Sequence, residues 1–176
     1  MISIDDQKAR QVWSRVMNCS AGQSASAEGC LEQRADQALS GLKEAGKQLT
    51  EDVLAELLQD EWTDAGTYRK LAACAPTCAR TILLRIAQEE LCHARTLSAL
   101  YYLKIGKKYC PEGRASVCTA CFNETIRQRY QAELAGQARY TALSGAAGEH
   151  QSTFEQFACD EGRHAQMLCC ILQNTL

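Results

Sequence analysis

Two prolines and eleven glycines in 176 residues, with few β-branched side chains, leave little material for a sheet and its turns. Neither sign of charge is in large excess. The formal net charge is −2, so there is no basic field to draw nucleic acid or an anionic membrane. No apolar run approaches the roughly 18 residues of a membrane span. The opening "MISIDDQKARQ" places acids where a signal peptide needs a basic stretch and an apolar run. A soluble, cytoplasmic chain of about one domain is expected, with neither nucleic acid nor membrane as a partner. What is plentiful is Ala, Leu, Glu, Gln and Arg, all good helix formers, and composition predicts an all-α fold.

Cysteine runs against this sparseness. There are eleven, an odd number without an export signal, which argues against a disulfide framework. Cys92, Cys159, Cys169 and Cys170 fall inside helical patterns, where cysteine is expected as a small buried apolar residue. A strongly reducing cytoplasm, such as an anaerobe's, suits so many thiols.

Residues 1–49 read as an N-terminal helical extension. A short amphipathic helix over 4–18 carries Val12, Trp13, Val16 and Met17, a Ser/Gly/Ala loop fills 19–30, and a second helix covers 31–46. Nothing in it suggests chemistry, and packing against the main domain or a second subunit is its expected role. Residues 50–176 read as a four-helix bundle. Thr50 is the expected N-cap of a helix running to about Cys74, with Glu51 and Asp52 in its first turn. Pro76 marks a turn and the start of a second helix lasting to about Lys107. Further helices are expected over 122–144 and 151–174, broken by "SGAAGEH".

The chain has only three histidines, and two lie in one repeated pattern, "EELCHARTL" and "DEGRHAQML". The second helix spaces Leu83, Ile86, Glu90, His93, Leu97 and Leu100 in steps of 3, 4, 3, 4 and 3. The fourth repeats those steps with Phe154, Phe157, Glu161, His164, Leu168 and Ile171. The first has Leu54, Leu57, Glu61, Asp64, Tyr68 and Leu71; the third has Ile126, Arg129, Glu133, Gly136, Tyr140 and Leu143. Four such stripes predict a bundle core with a glutamate near the middle of each. Glu61 precedes Glu90 by 29 residues and Glu133 precedes Glu161 by 28, so a helix pair is duplicated within the chain.

Four carboxylates and two imidazoles facing one core must be neutralised, paired or bound to metal. Two divalent cations balance four ionised glutamates. Residues at i and i+3 share a helix face, so each Glu-x-x-His can offer two ligands to one metal. Di-iron carboxylate bundles use one Glu from each of two helices and Glu-x-x-His from each of the other two. Glu61 and Glu133 fill the first role here, and Glu90/His93 and Glu161/His164 the second. Carboxylate and imidazole suit iron, with manganese or zinc as substitutes. Tyr68 and Tyr140, seven residues after Glu61 and Glu133, either hydrogen-bond to ligands or fill the core.

On these residues the stretch 50–176 resembles the ferritin-like di-iron carboxylate superfamily, and within it the rubrerythrin group. The resemblance implies a bundle whose second and third helices are joined by a crossover along its length. The roughly 14 residues available reach about 45 Å extended, against about 38 Å for a 25-residue helix. It also implies a non-haem di-iron enzyme that reduces hydrogen peroxide, or consumes oxygen, with Glu61, Glu90, Glu133, Glu161, Tyr68 and Tyr140 as its working residues. Rubrerythrins commonly carry a rubredoxin domain with four cysteines, whereas this chain ends at Leu176, so a separate donor such as a rubredoxin-type protein is expected. They also carry an extra glutamate one turn after the first on the third helix, where this chain has Gly136. Asp64, at the matching place on the first helix, is either an ordinary solvated or capping acid or that carboxylate moved across the two-fold.

The alternative is a ferritin-like ferroxidase for iron storage or detoxification, which needs a large hollow assembly rather than the expected homodimer. A substrate-oxidising oxygenase would need a pocket beside the metals. Cys118-x-x-Cys121, with Cys110 nearby, offers a redox pair or metal clip in the connection, or nothing more than surface thiols. Cys74 and Cys78 flank Pro76 and carry less, and His150 reads as a surface residue.

Overall fold

The computed structural model describes residues 49–113 and 121–176, and all of its regular structure is helical. The expected helices over 4–18 and 31–46, and Cys118, lie outside the described residues. Four long helices account for the bundle: α1 Glu51–Cys74, α2 Thr77–Ile105, α3 Phe122–Ser144 and α4 Gln151–Thr175. Each boundary falls within about two residues of expectation, and each has a local cause. The Thr50 hydroxyl accepts the Val53 amide at 3.3 Å and starts α1. Pro76, having no N–H to lose, sits at the N-cap of α2 rather than inside it. Gly106, at φ +75°, turns left-handed and closes α2 two residues short of Lys107, its N–H reaching the Tyr102 carbonyl at 2.8 Å. A single 3-10 turn, Gly148–His150, leads into α4.

The main partnerships are α1 with α2 and α3 with α4. Polar side chains give the remaining directions. Along α1, Glu56 and Asp60 meet Arg139, Glu61 meets Tyr140, Asp64 meets Arg129 and Tyr68 meets Glu133. The earlier residues of α1 meet the later part of α3 and the later ones its earlier part, so the two are antiparallel. Glu89 meets His164 and His93 meets Asp160, so α2 and α4 are antiparallel as well. Because α1 and α2 form a hairpin, α2 and α3 start at the same end. The chain leaving α2 runs back beside α1. Tyr109 Oη and the Glu112 N–H donate to Gln59 Oε1 at 2.9 and 2.8 Å, and Gln59 Nε2 donates to the Glu112 carbonyl at 2.9 Å.

The stripes pack as two apolar layers. One holds Leu54, Leu57, Leu97, Leu100, Leu143 and Phe154; the other holds Leu71, Leu83, Ile86, Ile126, Leu168 and Ile171, all buried. Each large apolar side chain so buried contributes about 1.5–3 kcal/mol. Between the layers lies a polar one, where all four central glutamates and both histidines are buried. Among the described residues the cysteines are not part of the core. Cys92, Cys159 and Cys170 are exposed and Cys169 is half-buried, contrary to the expectation for helical cysteines. They lie off the stripes: Cys92 immediately precedes His93 and so points about 100° away from it.

Candidate dimetal centre

The stripe spacing delivers what it implies. Glu61 comes from α1, Glu90 and His93 from α2, Glu133 from α3, and Glu161 and His164 from α4, all into one layer. Their donor atoms sort into two sets, Glu61, Glu90, His93, Glu161 and Glu90, Glu133, Glu161, His164, within each of which the atoms lie within 4.8 Å of one another. Glu90 and Glu161 belong to both. Each histidine turns Nδ1 inward: His93 Nδ1 lies 3.4 Å from Glu61, 3.2 Å from Glu90 and 3.5 Å from Glu161. His164 Nδ1 lies 2.8 Å from Glu90 and 3.3 Å from Glu133. The Phe157 ring, centred 4.4 Å from that of His93, closes the site from the first apolar layer.

The two tyrosines bond to ligands, but crosswise. Tyr68 on α1 donates to Glu133 Oε1 on α3, and Tyr140 on α3 donates to Glu61 Oε1 on α1. Burial raises both phenols well above their usual range, so they remain donors. Asp64 lies in the middle of α1 and so caps no helix, and its side chain is half-buried. It is the carboxylate partner of Arg129, whose Nε also donates to Tyr68 Oη at 3.3 Å. Burial pushes the Asp64 carboxyl up to about 7 despite the guanidinium, and Asp64 is in neither donor set.

Three further residues complete the surroundings. His93 Nε2 meets Asp160 at 3.3 Å, His164 Nε2 meets Glu89 at 2.7 Å, and Arg163 bonds to both of those carboxylates. A carboxylate on the outer nitrogen fixes the tautomer that leaves Nδ1 free to bind a metal. The signal for this was in the repeated pattern. Each Glu-x-x-His is directly preceded by an acid, Glu89 before Glu90 and Asp160 before Glu161. Gly136 has its own purpose: a Cβ there would stand 2.5 Å from Glu161 Oε2. Its missing side chain makes room for one of the shared carboxylates. Of the remaining candidates, Cys74, Cys78, Cys110 and Cys121 are exposed free thiols away from the layer. His150 is half-buried and its only ionic neighbour among the described residues is the adjacent Glu149, at 3.6 Å.

Without counter-charge this layer is unfavourable. A buried ion loses several kcal/mol of solvation, and four of them would exceed the 5–15 kcal/mol that holds a typical domain together. The metal-free chain answers with protons. Burial raises Glu61 to about 8 and Glu161 well above its usual range. Burial opposes charge on the histidines too, but the surrounding carboxylates outweigh it, taking His164 to about 11 and His93 higher. Burial also works against Glu90, yet the two histidines hold it well below the usual range. Even so, Glu61 Oε2, Glu133 Oε2 and Glu161 Oε1 are buried without a hydrogen-bond partner, and Glu90 Oε1 and His164 Nδ1, though 2.8 Å apart, are not aligned as a hydrogen bond. One oxygen of every glutamate is thus left unsatisfied in the layer that the donor sets define. An oxygen-rich set with two imidazoles fits iron or manganese, and the buried carboxylate–histidine cluster can hold metal.

Compared with protein-family models, with curated proteins and with solved structures, the chain matches none of them. Among the described residues no helix is long and apolar enough to cross a membrane.

Proposed function

We propose that the chain is a ferritin-like non-haem di-iron protein that reduces hydrogen peroxide, in the manner of a rubrerythrin, with electrons from a separate donor protein. The observation that carries this reading is the pair of donor sets sharing Glu90 and Glu161, each with one terminal glutamate and one histidine. Parallel α2 and α3 support the ferritin-like part, because the end of α2 and the start of α3 then lie at opposite ends of the bundle, as in a ferritin-like order of helices. The choice of peroxide over oxygen rests on the resemblance of the ligand pattern to rubrerythrins. A homodimer in the cytoplasm is the setting that goes with it.

When bound, two ferrous ions would supply the two electrons that convert H2O2 and two protons to two waters, and the donor would restore them. The residues around them have separate tasks. Glu61 and Glu133 would each hold one metal, while the phenols of Tyr140 and Tyr68 occupy their Oε1 atoms and orient the carboxylates. Glu90 and Glu161, which belong to both donor sets, would serve both metals, and the room at Gly136 gives the Glu161 carboxylate the space it occupies. Asp160 and Glu89 keep the protons of His93 and His164 on Nε2. Both apolar layers exclude bulk water, which strengthens every charge interaction in the layer.

The test is metal content on anaerobically purified full-length protein, followed by stopped-flow oxidation with peroxide and with oxygen. Two irons per chain, oxidised much faster by peroxide, are expected. Iron taken up beyond two per chain, with oxygen the faster oxidant, would replace this reading with a ferroxidase. No metal after reconstitution would remove the centre altogether.

A further inference from the structure

The duplication makes α1 equivalent to α3 and α2 to α4, and at most stripe positions the equivalents agree in kind. Two positions break the rule. Arg129 on α3 corresponds to Leu57 on α1, and Asp64 on α1 corresponds to Gly136 on α3. These two exceptions are each other's partners, Arg129 Nη2 bonding to Asp64 Oδ2 across the bundle. Of the pair, the guanidinium touches a ligand: Nη2 is 3.8 Å from Glu133 Oε1. Its Nε donates to Tyr68 Oη at 3.3 Å and its carbon lies 5.2 Å over the Tyr68 ring, the same tyrosine that donates to Glu133. Glu61, the equivalent ligand, has Tyr140 on its Oε1, while Leu57 supplies no charge at the place Arg129 takes. The shared glutamates differ too. Glu161 Oε2 occupies the space a Cβ on Gly136 would need, whereas Asp64 carries a side chain at the equivalent place.

We propose that the two metal positions are inequivalent, the Glu133/His164 position binding its ion more weakly than the Glu61/His93 position because Arg129, held by Asp64, withdraws electron density from Glu133. Each terminal glutamate is oriented by one phenol, but only Glu133 also faces a guanidinium, and that fixed positive charge takes up part of its negative charge and repels a second cation nearby. Arg129 is a positioning residue in this account. It acts on the metal through Glu133 and Tyr68. The chain therefore fills in order, first at Glu61/His93, then at Glu133/His164, and a half-loaded state with one ion is populated.

This rests on the dimetal reading, and the experiment keeps the two apart. Anaerobic calorimetric titration of the full chain with ferrous iron, repeated with cobalt(II), should show two steps whose dissociation constants differ by about tenfold or more, the scale on which outer partners alter metal affinity. His93→Ala should abolish the tight step and His164→Ala the weak one. The double variant Arg129→Leu/Asp64→Ala, which restores an uncharged pair, should bring the two constants together; Arg129→Lys, which keeps the cation, should leave them apart. Circular dichroism of each variant checks that the bundle has formed. Two ions bound with equal affinity by the unaltered chain would overturn the proposal and leave the dimetal reading standing. So would a separation that survives the double variant, or a tight step lost with His164→Ala. No uptake of either metal would overturn both.

Discussion

Replacing Gly136 by alanine adds one methyl group to α3, and its effect should have opposite signs with and without metal. The new Cβ would lie 2.5 Å from Glu161 Oε2 and 3.2 Å from its Cδ, where ordinary contact begins near 3.4 Å. The oxygen must therefore retreat by about 0.9 Å, whereas metal–ligand distances tolerate only about 0.2 Å. In the metal-free chain that retreat costs little, because the obstacle is the end of a side chain whose Oε1 has no hydrogen bond to lose. Alanine also gains about 1 kcal/mol over glycine inside a helix. The chelator-treated variant should thus melt about 2–4 °C higher than the parent by calorimetry. With metal the order reverses. Glu161 belongs to both donor sets, so its displacement should weaken uptake of both ions by tenfold or more. Metal analysis after reconstitution and dialysis gives that readout directly. Undiminished metal content would refute Glu161 as a shared ligand. A lower melting point in the metal-free variant would show that the added methyl meets something less yielding than a carboxylate.

Other outcomes follow from the same geometry. Tyr140→Phe and Tyr68→Phe each remove one phenol from a terminal ligand, and each should weaken metal binding about tenfold while leaving helix content by circular dichroism unchanged. Asp160→Asn or Glu89→Gln removes the carboxylate on the outer nitrogen of one histidine; a loss of about tenfold to a hundredfold in metal affinity is expected, and an unaffected titration would show that the tautomer is set elsewhere. Metal-free protein should lose stability as pH rises from about 5 to 8. There the folded state retains protons on Glu61 and Asp64, and above the ordinary histidine range on His164, that the unfolded chain releases. Each retained proton gives a slope of about 1.4 kcal/mol per pH unit. Urea unfolding across this range checks it, and metal-loaded protein should show a shallower slope, since the ions replace the protons of Glu61 and His164 while Asp64, in neither donor set, keeps its own. Arg139→Ala, by contrast, breaks pairs with the exposed Asp60 and Glu56 and should change urea stability by less than about 1 kcal/mol.

Helix periodicity carried most of what the sequence made legible. A turn of 3.6 residues is fixed by backbone geometry, so the 3, 4, 3, 4, 3 steps placed Glu61, Glu90, His93, Glu133, Glu161 and His164 in the core before any packing was known. What lay outside that reach were relations between helices. That Tyr68 answers Glu133 rather than Glu61 depends on how α1 lies against α3, which no spacing within one helix encodes. Arg129 stood openly on the α3 stripe, yet only its meeting with Asp64 gives that charge a reason to be there. Asp160 and Glu89 were hidden differently: each precedes a conspicuous glutamate and looks like a solvated neighbour until the opposite helix brings a histidine nitrogen to it. The cysteines misled because residue type was weighed above register. Cys92 is one step off a stripe, and one step is enough to reach solvent.

The crossed tyrosines tie retention of metal to the docking of two hairpins. Each terminal glutamate is aimed by a phenol from the opposite hairpin, so neither α1–α2 nor α3–α4 holds a finished half-site of its own. Any motion that parts the hairpins slackens Glu61 and Glu133 together, and any ion that grips them draws the hairpins shut. Loading and closure are then a single cooperative event. A bound ion would be surrendered only when the bundle as a whole opens, so the rate of metal release to a chelator should follow the rate of global unfolding.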